Sequence, residues 1–321
     1  MKKIWMTLFT LLLLSALPLL LLYGARAGEG VRQGLQLAYR AVLPALFPAA
    51  VVCGILSEMM EYIPLPPTFT LWFTSHLCGF PLGIKTTVRA YQRGIISREQ
   101  CIKLTVCCAN ASPSFLITYA GEAVFGNLRA GALLFAGQLF ISLALAIACG
   151  ALKGSSAPPL PRPSLIKVLT EGISSAAIGC LGLTGYIALF GALAALCAPI
   201  PGFRLWYGFL EISGGLSVLE PSIPHFFIGA AMVGFSGLSI LLQNATYLIH
   251  ADLPLLPMLA GKVLYAILLP PTVYGLIQSF PLTLAIFGFL SLFLISFDKR
   301  RKRQYNVRDR LARSGAERSV L

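Results

Sequence analysis

The residues best suited to chemistry in this chain are polar groups and helix breakers set inside long apolar runs. Gly79-Phe80-Pro81-Leu82-Gly83 is followed by Lys85, and Asn110-Ala111-Ser112-Pro113-Ser114 interrupts the apolar stretch 99 to 125. In the second half, Glu211-Ile212-Ser213-Gly214-Gly215 and Gly234-Phe235-Ser236-Gly237-Leu238-Ser239 precede Gln243 and Asn244. Proline lacks an amide hydrogen and clashes with the preceding turn, while glycine adds backbone freedom, so these motifs interrupt regular helix. Freed amides and carbonyls at membrane depth are tolerated only inside protein or beside a watery cavity. The breaks are therefore candidates for a solute path.

Each motif also has a structural reading. Gly79 to Gly83 could be a surface loop leading into Lys85, Arg89 and Arg93, and Asn110 to Ser114 a proline kink satisfied by Ser112 and Ser114. On the functional reading, Ser112 caps a new half-helix with Pro113 at its first position, and the free amides there suit a carboxylate or another anion. The helix before it starts at Ser97, whose capping box is completed by Gln100. Glu211, Ser236, Ser239, Gln243 and Asn244 either contact solute or form a polar clasp between helices; an intramembrane acid is a functional candidate by default.

Catalysis has little support. The motifs of serine hydrolases, zinc proteases and nucleotide-binding loops are missing, and Asp252, Asp298 and Asp309 lie outside the apolar runs. Eight cysteines without a CxxC pair and three scattered histidines, His76, His225 and His250, predict neither a metal site nor a cofactor.

The elements that hold these groups are written in the hydropathy. Of 321 residues 57% are hydrophobic and 12% charged, against roughly 25% charged in soluble domains. Apolar stretches of roughly 17 to 25 residues match the length that crosses a hydrocarbon core. Unbroken runs such as Leu11 to Leu14 argue against a β-barrel. Spans are expected at 4–23, 42–60, 99–125 with a break, 128–152, 176–198, 204–220, 255–277 and 281–297. The segments 66–84 and 224–243 are too interrupted to be ordinary spans.

From Asp298 to Leu321 nine Lys or Arg face three acids, so the tail holds +6 of the net +13. Directly after an apolar span, this is a positive-inside signal rather than a nucleic-acid arm. Lys2 and Lys3, the tail, and the loops at 85–98 and 153–167 all then lie inside, with both termini cytoplasmic in a bacterial plasma membrane. Ala25-Arg26-Ala27 resembles a signal-peptide cleavage site, but the preceding run of about twenty residues favours an uncleaved first span.

The Pro/Ser-rich linker 153–164 divides the chain into comparable halves. Val31, Leu35, Ala38 and Val42 form one helical face; Leu165, Leu169, Ile173 and Ala177 form another. Cys78 to Ala90 aligns with Val233 to Ala245 through their Gly-Phe pairs. Duplicated units with interrupted helices are a plan of secondary transporters. The expected organisation is an N-terminal span (1–28), a first repeat with its following span (29–152), the linker, a second repeat (165–277), a final span (278–297) and a basic cytoplasmic tail (298–321).

CGFPLGIKT, SREQCIKLTVCCANASPSFL and GFSGLSILLQ resemble the sporulation integral membrane proteins of the YlbJ type, also called stage V sporulation protein VV, in the nucleoside-recognition or Gate-domain group. The resemblance runs from about Gly30 to Leu276. It implies two Gate-like repeats and a carrier of dipicolinic acid during spore formation, placed in the plasma membrane or the mother-cell-derived outer forespore membrane. Related domains in nucleoside carriers imply a nucleoside as the alternative solute. A non-transporting assembly factor is the third reading.

The expectation is an all-α polytopic membrane protein with about eight transmembrane helices plus two interrupted or re-entrant segments. Its partners are lipid and a small polar or anionic solute, with a homo-oligomer compatible and no nucleic acid. Solute binding or gating is expected at Gly79, Pro81, Gly83, Lys85, Asn110, Ser112, Pro113, Glu211, Ser236, Ser239, Gln243 and Asn244.

Overall fold

A computed structural model describes residues 24–60, 65–153 and 164–278, preceded by positions 7, 10, 11, 14, 17, 18 and 20–23. Much of the expected first span, nearly all of the linker, the final span and the basic tail lie outside the described residues. Within them the chain is entirely helical, without strands.

The first helix, α1 (Gly24–Leu37), passes through a π-helical turn (Ala38–Val42) into α2 (Leu43–Met60). Then come α3 (Pro67–Cys78), α4 (Leu82–Gln92), α5 (Arg98–Cys107), a π-helical segment (Phe115–Val124) and α6 (Leu128–Ala148). The second half holds α7 (Leu165–Cys197), α8 (Phe203–Leu210), α9 (Ile212–Ser217), α10 (Ile223–Phe235), α11 (Gly237–His250) and α12 (Leu256–Gln278). Among the described residues, five stretches are long and apolar enough to cross a membrane: Gly24–Met59, Leu128–Ala148, Leu165–Cys197, Ile223–His250 and Leu256–Gln278. The protein is a multi-pass α-helical membrane protein.

Local sequence explains the ends. Ser97 accepts from the Gln100 amide while the Gln100 side chain accepts from the Ser97 amide, the expected capping box. Asn127 caps α6 by accepting from the Arg129 amide at 2.9 Å. Pro67 occupies the first turn of α3, where a missing amide costs nothing.

Three departures from the sequence expectations share one cause. Residues 42–60 are the second part of a continuous helix from Gly24, so the amphipathic segment is not a separate element. The segment 204–220 is not a span: α8 and α9 double back, with Gly208 and Gly215 in contact. Conversely 224–243 lies within a 28-residue crossing. Hydropathy measures how apolar a stretch is, and does not report whether the chain reverses or continues at a break.

Contacts sort the helix ends onto two faces. Arg98 donates to the Asp252 carbonyl at 3.1 Å, and Gln100 to the Lys153 carbonyl at 3.1 Å, gathering basic loop ends on one face. Phe125 stacks edge-on against Phe226 and Phe227 against Tyr274, at ring distances of 5.4 and 6.0 Å, on the other. The hairpin α3–α4 enters from the basic face and turns at 79–81. The hairpin α8–α9 enters from the opposite face and turns at Glu211. The chain from 98 to 125 runs between the faces with its helix broken at 108–112.

The long helices α1–α2 and α7 pack antiparallel along small residues. A Cβ at Gly34 would lie 2.8 Å from the Ile187 carbonyl, and one at Gly191 2.6 Å from the Gly30 carbonyl. This is the close backbone approach that drives helix association in lipid. The first expected apolar face is inward only at its end, where Ala38 and Val42 are buried while Leu35 is exposed; the second points elsewhere, with Leu165, Leu169 and Ile173 exposed and Val168, Gly172 and Ala176 buried.

Candidate functional site

Two breaks in the first half meet. Gly79 closes α3 with φ 68° and ψ −170°, and a Cβ there would run into the Ser112 backbone and side chain. Gly83 brings α4 against the Cys108 carbonyl, 2.6 Å from a would-be Cβ. Ser112 Oγ accepts from the Phe115 amide at 3.2 Å, with Pro113 as the first helical residue, so the expected cap is formed.

The interrupted backbone is clasped by neighbours. Gln138 on α6 accepts from the Ala111 amide and donates to the Ala111 carbonyl, at 3.0 and 2.9 Å. Ser142 donates to the Cys107 carbonyl at 2.9 Å and accepts from Trp72 Nε1 at 2.8 Å. Asn110 Nδ2 lies 2.6 Å from the Cys107 carbonyl, 3.0 Å from the Tyr265 hydroxyl and 3.0 Å from His76 Nε2. Lys262 Nζ donates to the Ala109 carbonyl at 2.8 Å. Replacing Gln138 by leucine is expected to destabilise the protein by about 1–3 kcal/mol for each buried group left unpaired. A clear fall in the thermal midpoint in detergent checks this; an unchanged midpoint would contradict it.

The second half repeats the motif with different chemistry. Glu211, with none of its surface exposed, accepts from the Ser213 and Gly214 amides at 3.0 and 2.5 Å and so caps α9. It is neither at the surface nor solvated. Ser236 and Gly237, at φ 72° and 78°, separate α10 from α11. A Cβ at Gly237 would lie 3.1 Å from the Ile212 amide nitrogen, so this break lies against the turn of its hairpin, as Gly79 lies against Ser112. Ser236 Oγ donates back to the Val233 carbonyl at 3.2 Å.

A cavity of about 340 Å³ lies beside the first crossing point. The turn 80–82, Lys85, Ser112, Ser175 and Tyr186 of α7, and Gln243 and Tyr247 of α11 line it. Among the described residues lining it, Lys85 alone carries a charge. Its Nζ donates to Ser175 Oγ at 2.7 Å. Gln243 Nε2 is buried without a partner. Lys85, Leu82, Ser175 and Ile178 also line a second cavity of about 390 Å³, which continues past Glu58, Arg89 and Glu171. Arg89 and Glu58 form an ion pair in its wall. The Lys85–Ser175 contact therefore lies where the two spaces adjoin.

Of the expected site residues, Pro81, Lys85, Ser112 and Gln243 come together on this cavity. Gly79 and Gly83 set the approach of the two breaks. Asn110 bonds away from the cavity, Pro113 starts a helix, Glu211 caps one, and Ser236 bonds its own helix. Ser239 and Asn244 are buried with side-chain atoms lacking a partner, and do not line this cavity.

The sequence reading missed Ser175, Gln138, His76, Tyr265 and Lys262. Lys262 had a usable signal, a lone cation inside the apolar run 255–277. The others are ordinary polar residues whose role appears only when the breaks are assembled.

No protein-family model matches the chain, and neither a curated protein nor a solved structure is detectably similar to it.

Proposed function

We propose that the chain is a membrane transporter of a small anionic solute, bound in the cavity at the crossing of the two first-half breaks. The observation that carries this is the lining. Lys85 is its one charge, the unpartnered Gln243 Nε2 is a donor, and Ser112 stands at a half-helix N-terminus whose amides favour negative charge. A volume of about 340 Å³ is at the small end of ligand pockets. It suits a compact solute such as a single aromatic ring bearing carboxylates.

The order of elements supports an inverted duplication, with a long helix, a re-entrant hairpin, a broken crossing and a straight helix in each half. By that order the Gly79–Pro81 turn corresponds to the Glu211 turn, and the 108–112 break to Ser236-Gly237. The two hairpins enter from opposite faces, which supports alternating access around a central site. Together with the spans expected at 4–23 and 281–297, the crossings would number eight.

Dipicolinate is the leading solute on the resemblance to the YlbJ-type sporulation proteins, and it is a flat dianion. A nucleoside fits the lining less well. Of the three amides that could read a base, Asn110 is engaged elsewhere, Asn244 is off the cavity, and only Gln243 faces it. Purified protein in liposomes, offered labelled dipicolinate and labelled nucleosides, tests the reading. Saturable dipicolinate uptake is expected. Uptake of neither by folded, correctly oriented protein would favour an assembly role instead.

A further inference from the structure

The Ala109 carbonyl, freed by the 108–112 break, is occupied by the ammonium of Lys262. Lys262 is 1% exposed, and its Nζ lies 2.8 Å from that carbonyl and 4.7 Å from the centroid of the Tyr265 ring. Among the described residues no carboxylate pairs with it. Its position is set by tight packing: a Cβ at Gly261 would press on the Val106 carbonyl, so α12 lies directly on the end of α5. Asn110 Oδ1, one residue beyond Ala109, is buried without a partner.

This is an unusual place for a lysine. An ammonium buried in a membrane protein without a counter-ion is costly unless specific groups replace its water. Those here are a free backbone carbonyl, the negative end of the half-helix α5 and the face of an aromatic ring, each of which favours a cation. Unwound carbonyls and half-helix C-termini are also where secondary transporters coordinate a coupling sodium ion or proton.

We propose that Lys262 is a built-in cation, filling a cation site at the Ala109 carbonyl so that the 108–112 break is held without a bound metal ion. One break then presents two polarities. Its Ala109 carbonyl faces the fixed ammonium, and Ser112, at the N-terminus of the following helix, lines the cavity. The corollary, that solute movement needs no sodium, rests on the transport reading; the cation site itself does not.

The test removes the side chain and offers its missing part. In detergent, Lys262→Ala is expected to unfold at lower temperature than the native protein, and n-propylammonium to raise that midpoint saturably by about 3 °C or more, the scale of ligand-linked stabilisation. Tetramethylammonium at the same ionic strength should do nothing, and the native protein should respond to neither. Equal responses to both ammonium ions, or none, would overturn the cation site. Where Lys262→Ala does not accumulate, Lys262→Met decides. It keeps an apolar stem without the charge, so native-like stability would refute the proposal and a lowered midpoint would support it. In liposomes, replacing sodium by choline should leave native dipicolinate uptake unchanged. Sodium-dependent uptake would overturn the corollary, whereas absence of any uptake would count against the transport reading and leave the thermal result to judge the site.

Discussion

Lys85→Ala is expected to reduce uptake of an anionic solute at sub-saturating concentration by about 10- to 150-fold, the effect of losing one hydrogen bond to a charged group at about 1.5–3 kcal/mol. The residue is the only charge on the described lining of the 340 Å³ cavity, and it stands between that cavity and the second one. Lys85→Arg should retain part of the activity, because charge is kept while the fork of donors no longer suits Ser175. Stability should change little, since Lys85 is half-buried and its partner is the Ser175 hydroxyl, which can turn toward the cavity. Initial uptake rates in liposomes, matched to protein amount and thermal midpoint, provide the check. Unchanged uptake by Lys85→Ala would remove the main support for an anion at this place. A neutral solute would instead leave the Lys85→Ala rate close to native.

Gly79→Ala should have the larger effect on the fold. The φ of 68° with ψ of −170° lies in a region essentially restricted to glycine, where any side chain adds strain of order 1–3 kcal/mol. Space is lacking as well, since the new Cβ would sit 2.7 Å from Ser112 Cβ and 2.8 Å from Ser112 Cα. To relieve it, the hairpin tip must retreat from the second break, separating the elements that carry Pro81 and Ser112. Gly94→Ala is the internal control. It also has positive φ, at 73°, but nothing within 4 Å of a Cβ, so only modest strain is expected. Gly79→Ala protein should fail to accumulate or melt well below the native protein, and Gly94→Ala should remain close to it. Similar behaviour of the two variants would mean that conformational strain alone, and not the contact between breaks, governs the position.

Much of the local structure was legible. Ser97 with Gln100, and Ser112 with Pro113, are short-range signals in which a side chain meets amides two or three residues away, and both formed as expected. The break at Gly79 to Pro81 was legible for the same reason, because proline and glycine act on their own turn. The helical faces were legible only in part: Ala38 and Val42 are buried as their spacing implies, whereas the large aliphatic residues of both stripes are not. In a water-soluble protein a stripe of Leu and Ile marks the core, but beside lipid large apolar side chains gain nothing by turning inward. Leu35, Leu165, Leu169 and Ile173 therefore face outward, and Gly34, Gly172 and Ala176 make the contact. The alignment of 78–90 with 233–245 followed the Gly-Phe pairs, yet by element order these lie in a hairpin turn and a broken crossing.

By itself the sequence determined a helical, multi-pass membrane protein and the positions at which its helices are broken, because hydropathy, capping and proline chemistry act within a turn or across one span. Only the tertiary structure decided that the break at Gly79 meets the break at Ser112, that Lys85 and Gln243 share a cavity while Glu211 and Asn110 do not line it, and that Lys262 reaches the Ala109 carbonyl. Those outcomes depend on close approach of small residues and on hydrogen bonds between positions separated by as many as 158 residues. Neither leaves a periodic mark along the chain.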